Sequence, residues 1–204
     1  MNGPAPLYGL LLAGGASTRM QRDKAALDYH GRPQLHWAYD LLRSHCAQVF
    51  VSVRPDQVAD PIRAALPQIV DEHEGVGPIA GIAAAQSRHP EAAWLVMACD
   101  LPFVSDQTLG SLIAQRDPSR SATAFRSSSD GLPEPLCAIY EPSSRAAILA
   151  SIAAGRNCPR KFLINSGVPL LELPEPTALD NVNTPQELTR AAAQLASGTD
   201  GALR

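Results

Sequence analysis

Leu7 to Ala25 reads LYGLLLAGGASTRMQRDKA, and the order of the fold starts from it. The apolar run Leu7–Leu12 has the character of a buried strand. Gly14 and Gly15 break that strand, and a small-polar patch (Ala16, Ser17, Thr18) and three cations (Arg19, Arg22, Lys24) follow. Paired glycines after a strand let backbone N–H groups close on an anion with no Cβ in the way. The cations add charge that bare amides lack, so the stretch suits a phosphate loop. The plainer alternative is a glycine turn with solvated charges. Two well-known loops are absent: no Lys-Ser or Lys-Thr follows a glycine here, and adjacent glycines do not make GxGxxG. Lys24 lies nine residues after Gly15. It reaches the same phosphates only if the chain folds back over them as a lid.

Outward from this loop, strand-like and helix-like stretches alternate. Residues 33–44 form a helix with Leu35, Ala38, Tyr39 and Leu42 on one face, and Val49–Val53 is a β-branched strand. A helix over 56–66, a short strand over Gln68–Val70 and a helix over 77–88, with Pro78 in its first turn, come next. Residues 92–98, AAWLVMA, are apolar throughout, as strands buried on both faces of a parallel sheet are. Ser105 caps a helix reaching about Arg116. Strands over 121–125 and 134–141 flank an exposed loop, and helices over 142–154 and 160–164 precede a strand over 168–173. A last helix, 184–195, has Thr184 as its cap and Pro185 at its first position. This order predicts an α/β fold, a three-layer α/β/α sandwich with a mostly parallel sheet.

Composition narrows the function classes. The chain of 204 residues is 45% hydrophobic, which suits one domain spanning 1–204 with a substantial core. Basic residues number 17 against 20 acidic, a net charge of −3, unlike the basic surface of a nucleic-acid binder. A polyanionic ligand must then be held by local charge. Cys46, Cys99, Cys137 and Cys158 are scattered, with no CxxC pair, which argues against a zinc site or a disulfide framework. No apolar run approaches the ~18 residues of a membrane span, and MNGPAPLY lacks the basic region of a signal peptide. The expectation is a cytoplasmic protein with no nucleic-acid or membrane partner. Residues 198–204 are expected by composition to form a flexible tail.

In open parallel sheets ligands bind beyond the carboxyl ends of the strands. The Gly14–Lys24 loop, Ser52 to Arg54, Asp71 and Asp100 all fall at such ends. Asp100 closes the apolar strand in MACDLPF. A carboxylate there suits Mg²⁺, which takes one or two carboxylates and completes its shell with water and phosphate oxygens. Asp100 could equally cap the following turn, Asp71 could be a solvated turn carboxylate, and the NTP of DNVNTPQEL is also a good helix start.

LAGGASTRMQRDK, IVD…GPIAG, CDLPF and NVNTPQEL, in that order, resemble the molybdenum cofactor guanylyltransferases, the MobA-like family of nucleotidyltransferases with a Rossmann-like fold. Gln21 stands where that family usually has glycine, and Ser52 where it can carry asparagine. The resemblance implies transfer of GMP from GTP to molybdopterin, with Mg²⁺ as cofactor. Molybdoenzyme apoproteins or their chaperones would be further partners. It implies Leu12, Ala13, Gly14, Gly15, Lys24, Ser52, Asp71 and Asp100 as nucleotide-binding residues. Arg19, Lys24 and Asp100 would be catalytic, Asp100 would hold the metal, and Asn181 and Asn183 would bind the acceptor. A cytidylyltransferase, a transferase acting on another phosphorylated acceptor, and a non-catalytic cofactor escort are the competing readings.

Overall fold

The structure is a computed structural model that describes residues 3–14, 23–71, 75–182, 187, 189–191 and 195. Seven strands form one sheet: β1 (Leu7–Leu12), β2 (Gln48–Val53), β3 (Gln68–Val70), β4 (Ala93–Ala98), β5 (Ala122–Arg126), β6 (Pro133–Tyr140) and β7 (Leu170–Leu171). Their order is β3-β2-β1-β4-β6-β5-β7. β1 to β4 are mutually parallel, β7 is parallel to β5, and β6 runs against both β4 and β5. The expected mostly parallel sheet is therefore present, with a single reversed strand.

Period-2 alternation sorts the side chains into two cores. Leu11, Val49, Val51, Leu95, Met97 and Ile139 face one layer, made by α1 (Gln34–Arg43) and α3 (Asp106–Ala114). Leu10, Trp94, Val96, Ala138 and Tyr140 face the other, made by α2 (Pro78–Arg88), α4 (Arg145–Ala153) and α5 (Pro159–Asn165). All six residues of β4 are buried. Leu35, Ala38, Tyr39 and Leu42 of α1 are buried on one face, as their spacing predicts. Ser105 accepts from the Thr108 N–H and starts α3.

Two expected elements differ. Instead of a helix over 56–66 the chain makes a 3-10 turn at Pro55–Gln57 and a series of turns. Pro61 lacks an N–H and disfavours helical geometry at Asp60, whose carboxylate instead accepts from the Ile62 N–H at 3.0 Å. The strand expected over 168–173 shrinks to Leu170–Leu171, between Pro169 and Pro174. The expected cap of the last helix, Thr184 and Pro185, lies outside the described residues, as do 198–204; residues 187, 189–191 and 195 are helical.

One buried ion pair braces the edge of the sheet opposite the strand ends that matter below. Arg116 donates to both oxygens of Glu141, at 2.6 and 2.9 Å, and to the Ala5 carbonyl at 3.0 Å. Glu141 is 2% and Arg116 11% exposed, so removing one charge strands the other away from water. Glu141→Gln is expected to lower the unfolding free energy by about 3 kcal/mol, read by urea denaturation.

Candidate functional site

β1, β2, β3 and β4 end along one edge of the sheet, and a pocket of about 440 Å³ opens there. Leu12, Ala13 and Gly14 enter it from β1, Ser52 and Arg54 from β2, Asp71 from β3, and Cys99 and Asp100 from β4. The parallel ladder carries past the strands and sets these ends side by side. Ala13 N–H donates to the Ser52 carbonyl, Cys99 N–H to that of Leu12, and Asp71 N–H to that of Val53.

Charged side chains held in pairs shape this edge. Lys24 Nζ stands 2.8 Å from Asp100 Oδ2, with both side chains about a quarter exposed or less. Lys24 opens a 3-10 turn, Lys24–Ala26, whose cap is Asp23 accepting from the Ala25 N–H at 3.0 Å. Asp23 is in turn gripped by both terminal nitrogens of Arg63, at 2.6 and 2.9 Å. Burial opposes ionisation of Asp23. The hydrogen bonds from Arg63 and Ala25 outweigh it and hold the carboxyl below its usual value. Arg54 donates to the Gly14 carbonyl and, through Nε and Nη2, to Asp56 at 3.0 and 2.9 Å.

The third strand end is built differently. Ser52 Oγ donates to Asp71 Oδ1 at 2.8 Å. Burial raises the Asp71 carboxyl above its usual value, against the lowering effects of that hydrogen bond and of Arg54. α2 starts at Gly77, whose φ of +83° is left-handed, and Gly77 and Pro78 both line the pocket. Its amino end is thus directed at the space an anion would occupy, a favourable orientation for negative charge. The helix comes so close that a Cβ on Gly81 would sit 2.5 Å from Ser52 Oγ and 3.1 Å from Asp71 Oδ1.

The expected residues Leu12, Ala13, Gly14, Lys24, Ser52, Asp71 and Asp100 all line this one pocket. The Val182 N–H donates to the Asp100 carbonyl at 3.4 Å, which lays Val182 against the same strand end. Asn181 is exposed beside it and is not among the lining residues. Gly15, Arg19 and Asn183 lie outside the described residues. No residue of the basic CPRK segment lines the pocket: Arg160 pairs with Asp130 at 2.6 Å and Glu134 at 3.3 Å. Sequence reasoning named Arg54 only as the end of the Ser52 to Arg54 stretch, gave Asp23 no role of its own, and did not single out Arg63 or Leu136. Asp23 and Arg54 had a usable signal, being next to Lys24 and at the end of β2. Arg63, inside a stretch expected to be helical, had none.

No cysteine here is primed for attack. Burial pushes the Cys99 thiol up to about 12, with the Asp100 charge adding to it. Among the described residues no three His, Cys, Asp or Glu side chains gather into a metal cluster. No helix among them is long and apolar enough to cross a membrane.

Against known proteins, residues 9–169 match the profile of the MobA-like NTP transferase domain. A molybdenum cofactor biosynthesis bifunctional protein of Synechocystis is 38% identical over 182 residues, covering 89% of this chain and 52% of that protein. The chain thus spans about half the length of that relative. The molybdenum cofactor guanylyltransferase of Cereibacter sphaeroides is 30% identical over 196 residues, covering 93% of this chain and 97% of that one. The crystal structure of molybdopterin-guanine dinucleotide biosynthesis protein A from Archaeoglobus fulgidus superposes with a TM-score of 0.78 at 26% identity, covering 93% and 99% of the two chains.

The seat of α2 on the Ser52–Asp71 pair can be tested by a single methyl group. In a free helix Gly→Ala is favourable by up to ~1 kcal/mol, whereas overpacking costs roughly 1–3 kcal/mol. Gly81→Ala is therefore expected to destabilise the fold by about 1 kcal/mol in urea and to weaken nucleotide binding about tenfold in calorimetric titration. A gain in stability would show that the helix backs away at no cost.

Proposed function

The chain belongs to the MobA-like NTP transferase family, and from that premise we propose that it transfers GMP from GTP to molybdopterin. The acceptor is the terminal phosphate of the molybdenum-loaded pterin, and the products are the guanine dinucleotide cofactor and pyrophosphate, made in the cytoplasm. The observation that carries the proposal is the Lys24–Asp100 pair, 2.8 Å apart at the mouth of a pocket floored by Ala13 and Gly14. The names of the Cereibacter and Archaeoglobus relatives support the same base and acceptor.

In the reaction an oxygen of the acceptor phosphate bonds to the α-phosphorus of GTP. The bond from that phosphorus to the α–β bridging oxygen breaks, and its electron pair leaves with pyrophosphate. Such transfers need positioning and electrostatic stabilisation more than covalent help, in keeping with the inert Cys99. The Gly14 amide and the α2 amino end face the phosphates. Lys24 exchanges its partner Asp100 for triphosphate charge. Arg19 is assigned the charge that develops on departing pyrophosphate, and Asn181 and Asn183 the acceptor. Residues 6–118 would thus serve the nucleotide and 119–197 the pterin, whose product passes to molybdoenzyme apoproteins or their chaperones.

The donor set fits Mg²⁺. Asp100 is one hard carboxylate that belongs to no cluster of three or more possible metal ligands among the described residues, and Mg²⁺ typically draws its other ligands from water and substrate phosphates. When bound, Mg²⁺ supplies positive charge to the phosphates. Asp100 would hold it, and Lys24, now the ion-pair partner of Asp100 at 2.8 Å, would turn to the triphosphate. Asp71 has Oδ1 engaged by Ser52 and turns Oδ2 toward Gly14, 3.8 Å from where a Cβ there would lie. That oxygen suits the paired N–H donors of guanine.

Pyrophosphate release with GTP, CTP and ATP, with and without molybdopterin, tests the assignment. GTP with acceptor is expected to exceed CTP by up to ~10⁴-fold, the scale of a buried hydrogen-bond mismatch. Comparable rates with CTP would assign the chain to cytidylyl transfer. Asp100→Asn is expected to keep the fold and lose roughly 10²-fold in turnover at saturating Mg²⁺.

A pH dependence follows from Asp71. The carboxylate must be ionised to pair with guanine, and burial raises its ionisation above the usual carboxylate range. GTP affinity is then complete above that raised value and falls as pH drops through it, while an ordinary carboxylate would still be charged. Asp71→Asn should bind GTP weakly and abolish this acid limb. An unchanged limb in the variant would assign it to another group.

A further inference from the structure

We infer that Arg63 is a positioning residue for the transfer: it ties the two ends of the phosphate loop together and so places Lys24 on Asp100. The inference rests on reading the pocket as a triphosphate site. Arg63 is 1% exposed and absent from the pocket lining, so it acts through the groups it holds. One terminal nitrogen donates to Asp23 Oδ2 at 2.6 Å and lies 3.1 Å from Asp60 Oδ1. The other donates to Asp23 Oδ1 at 2.9 Å and to the Ala13 carbonyl at 3.1 Å.

Ala13 directly follows β1, and Asp23 is the cap of the turn that Lys24 opens. One guanidinium therefore joins the end of β1 to the start of that turn. At the far end the linkage continues: Asp23 caps the turn that Lys24 opens, and Lys24 meets Asp100 at 2.8 Å. At the near end, the trans peptide that directs the Ala13 carbonyl to Arg63 directs the Gly14 N–H the opposite way. The planar fork suits this double grip, which an ammonium cannot reproduce. A hydrophobic side chain of similar volume would fill the space without desolvating a charge. It could not hold two backbone segments at a fixed separation.

The test compares wild type with Arg63→Met, Arg63→Lys and, as a control for destabilisation remote from the pocket, Glu141→Gln. Each is assayed at a temperature where circular dichroism shows it fully folded. The first readout needs no substrate: the rate at which an amine-reactive ester labels Lys24 in nucleotide-free protein, measured by peptide mass spectrometry. The second is kcat and KM for GTP. Arg63→Met is expected to speed Lys24 labelling about threefold or more and to lower kcat about tenfold or more, with a smaller change in KM. Arg63→Lys should fall between, and Glu141→Gln should match wild type in both. Arg63→Met behaving like Glu141→Gln, or losing turnover with Lys24 labelling unchanged, would overturn the assignment. If Arg63→Met does not fold, Asp23→Asn removes the same grip and is expected to shift both readouts in the same direction. If wild type releases no pyrophosphate from GTP, the proposed function fails, and the labelling rates alone still decide whether Arg63 places Lys24.

Discussion

Burial of β4 on both faces governs the architecture. A strand whose six residues are all buried needs an apolar layer above and another below, and β1 and β6 on its flanks to take its backbone hydrogen bonds. The parallel β1–β4 pairing needs a crossover, which places helices over the sheet rather than a tight turn at its end. Four strand ends then meet at one edge, and polar residues there need not compete with the core. Asp100 is the first charged residue after the apolar run, and its place in the pocket lining follows directly from where that burial stops.

The charges at this edge divide into two kinds. Lys24 and Asp100 are partly exposed and paired to each other, so each can change partner when a polyanion arrives. Arg63 is fully buried and held by Asp23, Asp60 and the Ala13 carbonyl, so it keeps its place. A chain of net charge −3 can therefore present a local site for phosphate without a basic surface. Asp71 has a third character: burial raises its carboxyl, and its hydrogen bond to Ser52 directs it more than any ion pair does.

The parts of this arrangement set by local pattern were legible in the sequence. β1 and β4 show as apolar runs, β2 as a β-branched run and α1 as a one-sided helical face, and the rule that ligands bind at strand ends singled out Asp71 and Asp100. The stretch 56–66 misled because its composition suits a helix while Pro61 forbids one. Arg63 was illegible for a related reason. Its partners Asp23 and Ala13 lie 40 and 50 residues away, and a buried ion pair leaves no periodic mark. The contact of Val182 with Asp100 is likewise a product of the finished fold, although the resemblance had already set Asn181 and Asn183 near the acceptor.

The reversed strand has a consequence for how such a site can diversify. Because β6 runs against β4, its first residues rather than its last reach the pocket edge, and Leu136 joins the lining. The hairpin of residues 127–132 that feeds β6 lies at that same edge. One wall is thus made of strand ends locked into the parallel ladder, and the other abuts a surface turn that can lengthen or change composition without disturbing a single ladder bond. Over evolutionary time the two walls are separable: the hairpin can drift toward new acceptors while the machinery that handles the triphosphate is inherited unaltered.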